Sequence, residues 1–132
     1  MSAWLDGLEA VTLFVEDLPR TAVFYRDVFG LEQINADDDS TAFRFGSTVL
    51  NLLRVQAAPE LIEPRDVAGP EAGSRVLFTI GVADVDSVCS DLAEHGVELV
   101  NGPTDRPWGL RTAAFADPAG HIWEVAQSLG QR

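Results

Sequence analysis

The sequence predicts an α+β fold built from two tandem βαβββ modules. Three observations lead there. The run Val11-Thr12-Leu13-Phe14-Val15-Glu16-Asp17-Leu18 is echoed by Phe78-Thr79-Ile80-Gly81-Val82-Ala83-Asp84-Val85. Both are apolar, β-rich segments that end in Val-x-Asp. Each is followed by a helical pattern that stops at a glycine, Gly30 in one half and Gly96 in the other. After each glycine come three shorter strand patterns. A chain of 132 residues, 46% of them hydrophobic, suits one domain with a real core. The expected organisation is a single domain over 1–132, with module one at about 8–55, a linker at 56–74 and module two at about 75–128.

The elements follow in order. Asp17 is the expected N-cap of the first helix, and Pro19 sits in its tolerant first turn. Val23, Phe24, Val28 and Phe29 are read as its buried side, with Tyr25 assigned to neither face. Strands are expected over 31–35, 41–45 and 48–55, the last two joined by a tight Gly46-Ser47 turn. The stretch 56–74 holds Pro59, Pro64, Pro70, Gly69 and Gly73, and reads as linker or lid rather than strand. In the second half Asp84 caps a helix with Asp86 in its first turn. Val85, Val88, Cys89 and Leu92 form its apolar stripe, and Gly96 ends it. Strands are expected over 97–100, Leu110–Ala116 and 121–127, with a turn at Asp117-Pro118-Ala119-Gly120.

Charge and cysteine content narrow the function. Nine Lys and Arg stand against 21 Asp and Glu, a net charge of −12. Phosphate binding needs a basic surface, so nucleic acid is not an expected partner. An anionic membrane surface is disfavoured for the same reason. The field favours cationic ligands, and Asp37-Asp38-Asp39 reads as a solvated turn that adds to it. Cys89 is alone, which excludes an intrachain disulfide and a Cys-rich zinc site. No secretory pattern opens the chain and no apolar run is long enough to span a membrane, so the expected location is cytoplasmic.

Three segments carry a resemblance. They are Val15-Glu16-Asp17-Leu18, Phe24-Tyr25-Arg26-Asp27-Val28-Phe29-Gly30-Leu31 and Asp117-Pro118-Ala119-Gly120-His121-Ile122-Trp123-Glu124. With the paired repeat, they make the chain resemble the vicinal oxygen chelate superfamily over roughly residues 8 to 128. That superfamily includes glyoxalase I, extradiol dioxygenases, and fosfomycin and bleomycin resistance proteins. The resemblance implies curved mixed sheets around a concave ligand cup, with the helices outside. It does not choose among the chemistries this fold carries.

Strand alternation then sorts residues toward such a cup. Ala10, Thr12 and Phe14 face it from the first strand, and Val49, Asn51 and Leu53 from the fourth. Leu77, Thr79 and Gly81, with Ile122, Glu124 and Ala126, do so in the second module, while Trp123 and Val125 pack behind. Phe43 and Phe45 share one face of their strand and Ala42 and Arg44 the other, without indicating which face is inside. Metal-using relatives hold their ion with His, Gln or Glu at cup positions that here are Ala10, Leu77, Asn51 and Glu124. Alanine and leucine cannot ligate, and an Asn carbonyl suits Zn, Ni or Fe poorly. The expectation is therefore no metal and no cofactor. Glu124 has three readings: a structural carboxylate, a ligand contact, or a general base.

Arg106-Pro107-Trp108-Gly109-Leu110-Arg111 is similar to a segment of the bleomycin resistance type. In those relatives the tryptophan lies at the ligand groove and stacks on planar drug rings. Trp108 takes that position here, and a loop tryptophan suits stacking on flat heteroaromatics. Its other reading is a loop anchor. Arg111 is either a ligand contact or a brace that holds the loop through an Asp or backbone carbonyls. Trp4, Leu5 and Leu8 form an apolar arm expected to pack on a second subunit, as in related homodimers.

The expected function is metal-free sequestration of an aromatic, cationic natural product, closest to the bleomycin resistance type. The expected ligand-binding set is Trp108, Glu124, Asn51, Phe14, Thr12, Thr79 and Arg111, with no catalytic residue. The alternative is a lyase, isomerase or dioxygenase of the same superfamily, with a non-standard site around Glu124.

Overall fold

The computed structural model describes residues 3–130. The chain divides into two compact units, with the boundary between Gly69 and Pro70. The first holds β1 (Ala10–Val15), α1 (Leu18–Asp27), β2 (Glu32–Ala36), β3 (Ser40–Phe45), β4 (Thr48–Arg54) and the short α2 (Pro59–Ile62). The second begins with a 3-10 turn at Pro70–Ala72. It continues with β5 (Leu77–Gly81), α3 (Val85–Glu94), β6 (Leu99–Asp105), β7 (Leu110–Ala116) and β8 (Ile122–Ser128). The sheets share one topology, β1-β4-β3-β2 and β5-β8-β7-β6. The first and last strands of each unit pair in parallel and the other pairs are antiparallel. This is the α+β arrangement of two βαβββ modules that the repeat predicts.

Capping explains where the helices begin and end. The Asp17 carboxylate accepts the Arg20 backbone N–H at 3.1 Å, and Asp84 does the same for Ser87 at 3.1 Å. Helix α3 ends with Val97 N–H donating to Leu92 O at 2.9 Å and Gly96 N–H to Ala93 O at 3.0 Å. That bond pair needs a left-handed residue, and Gly96 supplies it at φ 75°.

Each unit has its own core between helix and sheet. In the first, Leu18, Thr21, Ala22 and Tyr25 form the inward stripe of α1 together with Phe24. Thr21 is buried without cost because its hydroxyl donates to Asp17 O at 2.9 Å. Tyr25 is fully buried, and its ring packs on Phe24, Phe29 and Phe43 at centroid distances of 5.1, 5.0 and 6.3 Å. Phe45 packs on Phe29 at 6.3 Å. Phe43 and Phe45 therefore point to the helix-bearing face, and Ala42 and Arg44 to the other. Val23, expected inside, is exposed. The stripe through Thr21, Ala22 and Tyr25 turns it outward. In the second unit, Val85, Leu92, Ala113, Phe115, Trp123 and Val125 are buried, and Trp123 lies 4.8 Å from the Phe78 ring.

The strand after α3 differs from expectation. It runs over Leu99–Asp105, later and longer than 97–100. Its pairing with β7 shifts register between Leu99 and Asn101, and again between Asn101 and Thr104. These irregularities absorb Gly102 and Pro103 in an edge strand, where a missing backbone donor is tolerated.

The β7–β8 connection is held by Asp117, whose carboxylate is wholly buried. Its Oδ1 accepts the backbone N–H groups of Ala119 and His121 at 2.9 Å each, and its Oδ2 lies 2.9 Å from His121 Nδ1. Replacing Asp117 with Ala orphans both backbone donors. We expect a loss of about 2–4 kcal/mol in urea unfolding. A loss under 0.5 kcal/mol would show that the turn re-pairs its amides without the side chain.

Candidate functional site

The sheet face turned away from the helix is where alternation places the candidate residues. In the second unit Thr79 lies beside Glu124 across the parallel β5–β8 ladder. The Thr79 hydroxyl donates to Glu124 Oε1 at 2.9 Å. Across the other ladder Glu124 faces Ala114, a small neighbour that leaves its carboxylate room. One step along, Leu77 pairs with Ile122. Those two, with Ser74, Arg75 and Val76, line a hollow of about 400 Å³. Apolar wall and oriented carboxylate therefore share a face, a composition common in small-molecule sites.

The first unit repeats the pattern with different chemistry. Thr12 lies beside Asn51, Phe14 beside Leu53 and Ala10 beside Val49. Ala42 faces Asn51 from β3. Phe14 and Asn51 are half-buried and Thr12 is exposed. This face offers an amide, a hydroxyl and one aromatic ring, and at its β2–β3 side the ion pair of Arg44 with Glu32 at 3.2 Å.

Trp108 sits in the β6–β7 hairpin turn and is 67% exposed. The turn is well bonded: Arg106 N–H donates to Leu110 O at 2.7 Å, and Gly109 N–H to Arg106 O at 3.1 Å. Leu129 N–H reaches back to Gly109 O at 3.0 Å, tying the turn to the end of β8. Gly109 has φ 91°, a value that side chains disfavour. A large apolar ring thus stands in solvent on an ordered turn. A loop anchor would bury that ring.

Arg111 is placed elsewhere. It pairs with Gln127, whose side-chain oxygen accepts the Val85 N–H of α3 at 2.9 Å, so both lie on the helix-bearing face. Its Nε and Nη2 donate to Asp86 Oδ1 at 3.1 and 2.9 Å, and Nη1 donates to Asp105 Oδ1 at 2.9 Å. The hydrogen bonds to Asp105 and Asp86 hold its proton more tightly than usual. These bonds supply the Asp partners that the brace reading of Arg111 names. Cys89 lies on the same helix. Burial, with the Asp86 charge second, pushes its thiol pKa up against the opposing pull of Arg111.

Sequence reasoning missed Arg106. Its Nε donates to Thr112 Oγ1 at 2.9 Å and its Nη2 to Asn101 Oδ1 at 3.2 Å. Position beside Pro107-Trp108 was the only signal, and nothing local names Asn101 or Thr112 as partners. Asp86 was legible only as a first-turn acid. In the acidic turn, Asp37 Oδ1 accepts the N–H groups of Asp39 and Ser40 at 2.8 and 2.9 Å. Those two bonds hold its carboxyl below the usual range.

The donor set does not fit the divalent metal of metal-using relatives. Ala10 lies beside Val49 and Leu77 beside Ile122, so the first-strand positions offer only hydrocarbon. Asn51 and Glu124 are the donors at the fourth-strand positions of their respective units. Among the described residues, no group of three His, Cys, Asp or Glu side chains is placed to hold a metal.

Residues 7–125 match the Glyoxalase/Bleomycin resistance protein/Dioxygenase superfamily. The chain belongs to that family. It is 33% identical over 124 residues to the uncharacterized protein YraH of Bacillus subtilis (strain 168), covering 90% of this chain and 96% of YraH. Its fold is similar to lactoylglutathione lyase from Agrobacterium tumefaciens, with TM-score 0.75, 24% identity and coverage of 93% and 94% of the two chains. It is also similar to TnmS3, an antibiotic binding protein from Streptomyces sp. CB03234, with TM-score 0.72, 21% identity and coverage of 97% and 99%. At these identities the two structural likenesses establish shared fold alone.

Proposed function

We propose that this protein binds and sequesters an aromatic, cationic natural product without chemical conversion. The observation that carries the reading is Trp108, two-thirds exposed on a hydrogen-bonded turn. Indole exposed on an ordered turn binds a flat ring at little entropic cost. Thr79 and Glu124 supply an oriented anionic contact, and the net charge of −12 attracts a cation. Thr12, Phe14 and Asn51 belong to the equivalent face of the first unit, and Arg111 serves by bracing the tryptophan turn. TnmS3 supports the reading, because a protein of the same fold binds an antibiotic. We also read the protein as a cytoplasmic homodimer that works without metal, with exposed Trp4, Leu5 and Leu8 packing on the second subunit. Among the described residues no helix is long and apolar enough to cross a membrane.

Fluorescence quenching against metal-free bleomycin and planar cationic dyes tests this. Trp108→Ala should weaken binding about tenfold or more, the scale of a lost aromatic anchor. Equal affinity of wild type and Trp108→Ala would remove the stacking role.

The second reading is a metal-independent lyase or isomerase, favoured by the Thr79–Glu124 hydrogen bond that orients a carboxylate as a base. It expects turnover of a glutathione hemithioacetal that Glu124→Gln abolishes. Binding without turnover sinks it.

A further inference from the structure

The turn that carries Trp108 is gripped from both sides, and each grip is an arginine next to it in sequence. On one side Arg106 spans from its own turn to Asn101 on β6 and Thr112 on β7. Thr112 is 1% exposed, so this anchor lies in packed structure. On the other side Arg111 joins Asp105, where β6 ends, to Asp86 in the first turn of α3. The Arg111 side chain is 27% exposed while each aspartate side chain is more than 60% exposed. A lone exposed ion pair contributes little. One planar guanidinium bridging two carboxylates from separate elements is different, because its rigid fork fixes their relative position.

We propose that Arg106 and Arg111 are positioning residues that hold the Trp108 turn preformed in the free protein, Arg106 to the sheet and Arg111 to α3. The proposal rests on the reading of Trp108 as the ligand-stacking residue, and it gives the two arginines a role through that ring without ligand contact. Strand pairing accounts for the bonds of Arg106 N–H and Leu129 N–H, yet the polypeptide between Arg106 and Gly109 has no strand partner of its own. The arginines supply the missing constraint. A preformed turn removes the ordering cost that a mobile tryptophan loop would impose on each binding event.

Amide hydrogen exchange followed by NMR tests this without any ligand. In Arg106→Ala and in Arg111→Ala, exchange at Gly109 should quicken by roughly tenfold, while the Trp123 and Val125 amides of β8 keep wild-type protection. Arg111→Lys should not restore Gly109 protection, because an ammonium cannot bridge both carboxylates with a fixed fork. Wild-type Gly109 protection in both alanine variants overturns the proposal. Should an alanine variant also lose β8 protection, the double variant Asp86→Ala/Asp105→Ala removes only the two exposed acceptors of Arg111. Unchanged Gly109 exchange there overturns the Arg111 brace. Ethidium titration separates this from the function itself. Wild-type affinity in Trp108→Ala overturns stacking and leaves the exchange result standing. A loosened turn with undiminished affinity, where Trp108→Ala does weaken binding, overturns preorganisation.

Discussion

Replacing Phe43 with alanine is expected to destabilise the first unit by about 3–5 kcal/mol, the range for removing a buried aromatic ring. Phe43 is 0% exposed and packs against the equally buried Tyr25. The cavity opens between the middle of the sheet and α1, where β3 is paired on both sides and cannot move inward. The loss is a large part of an ordinary domain's stability, so the variant should unfold at much lower urea. Phe14→Ala is the control. Phe14 is half-buried on the opposite face, and its removal should cost about 1 kcal/mol, since less apolar area leaves water. Equal losses from the two variants would mean that the face assignment is wrong.

Gly102→Ala is expected to cost about 2–5 kcal/mol, through two additive effects. Gly102 has φ 85°, which costs an L-residue about 1–2 kcal/mol. A Cβ there would also stand 2.5 Å from the Thr112 carbonyl oxygen and 2.8 Å from Ala113 Cα. Both are backbone atoms of β7 and cannot swing aside, so the strands must part, at about 1–3 kcal/mol. Gly109→Ala isolates the first effect. Its φ is 91° and nothing lies within 4 Å of the added Cβ, so only the backbone term applies. Urea unfolding of the two variants checks this: matching losses would show that β7 yields freely to the extra methyl group.

The contrast between these glycines shows what could be read in advance. Both are visible in the sequence only as glycines next to or near a proline. Only the packed strand separates the one whose Cβ meets a backbone carbonyl from the one that faces solvent. The face of Phe43 was undecided for a similar reason. Period-two alternation pairs Phe43 with Phe45 and opposes Ala42, but both sets contain an apolar member. Tyr25, unassigned along the helix, turns out to be the fully buried ring that settles it. Residues 97–100 misled because apolar alternation ends at Val100, whereas pairing continues through a bulged edge that alternation does not encode.

At the site, the shared face of Thr12 with Asn51 and of Thr79 with Glu124 was legible from strand alternation, whereas their adjacency in register came from the strand pairing. The Thr79–Glu124 hydrogen bond was not, nor were the bonds of Arg106 to Asn101 and Thr112 or the choice of Asp86 and Asp105 as the partners of Arg111. Each joins residues from different strands or from strand and helix, at distances that depend on register.

By itself the sequence determined the two βαβββ modules, the helix caps at Asp17 and Asp84, the family, and the place of Trp108 on a loop. All of these depend on local periodicity, turn chemistry or short motifs, where the partners are neighbours in the chain. The tertiary structure decided which face of β3 is core, where β6 is irregular, which glycine can bear no side chain, and that Arg111 reaches Asp86 and Asp105 on the helix-bearing face. Those depend on which distant residues come within a few ångströms, and that is settled only when the strands have paired and the helices have packed.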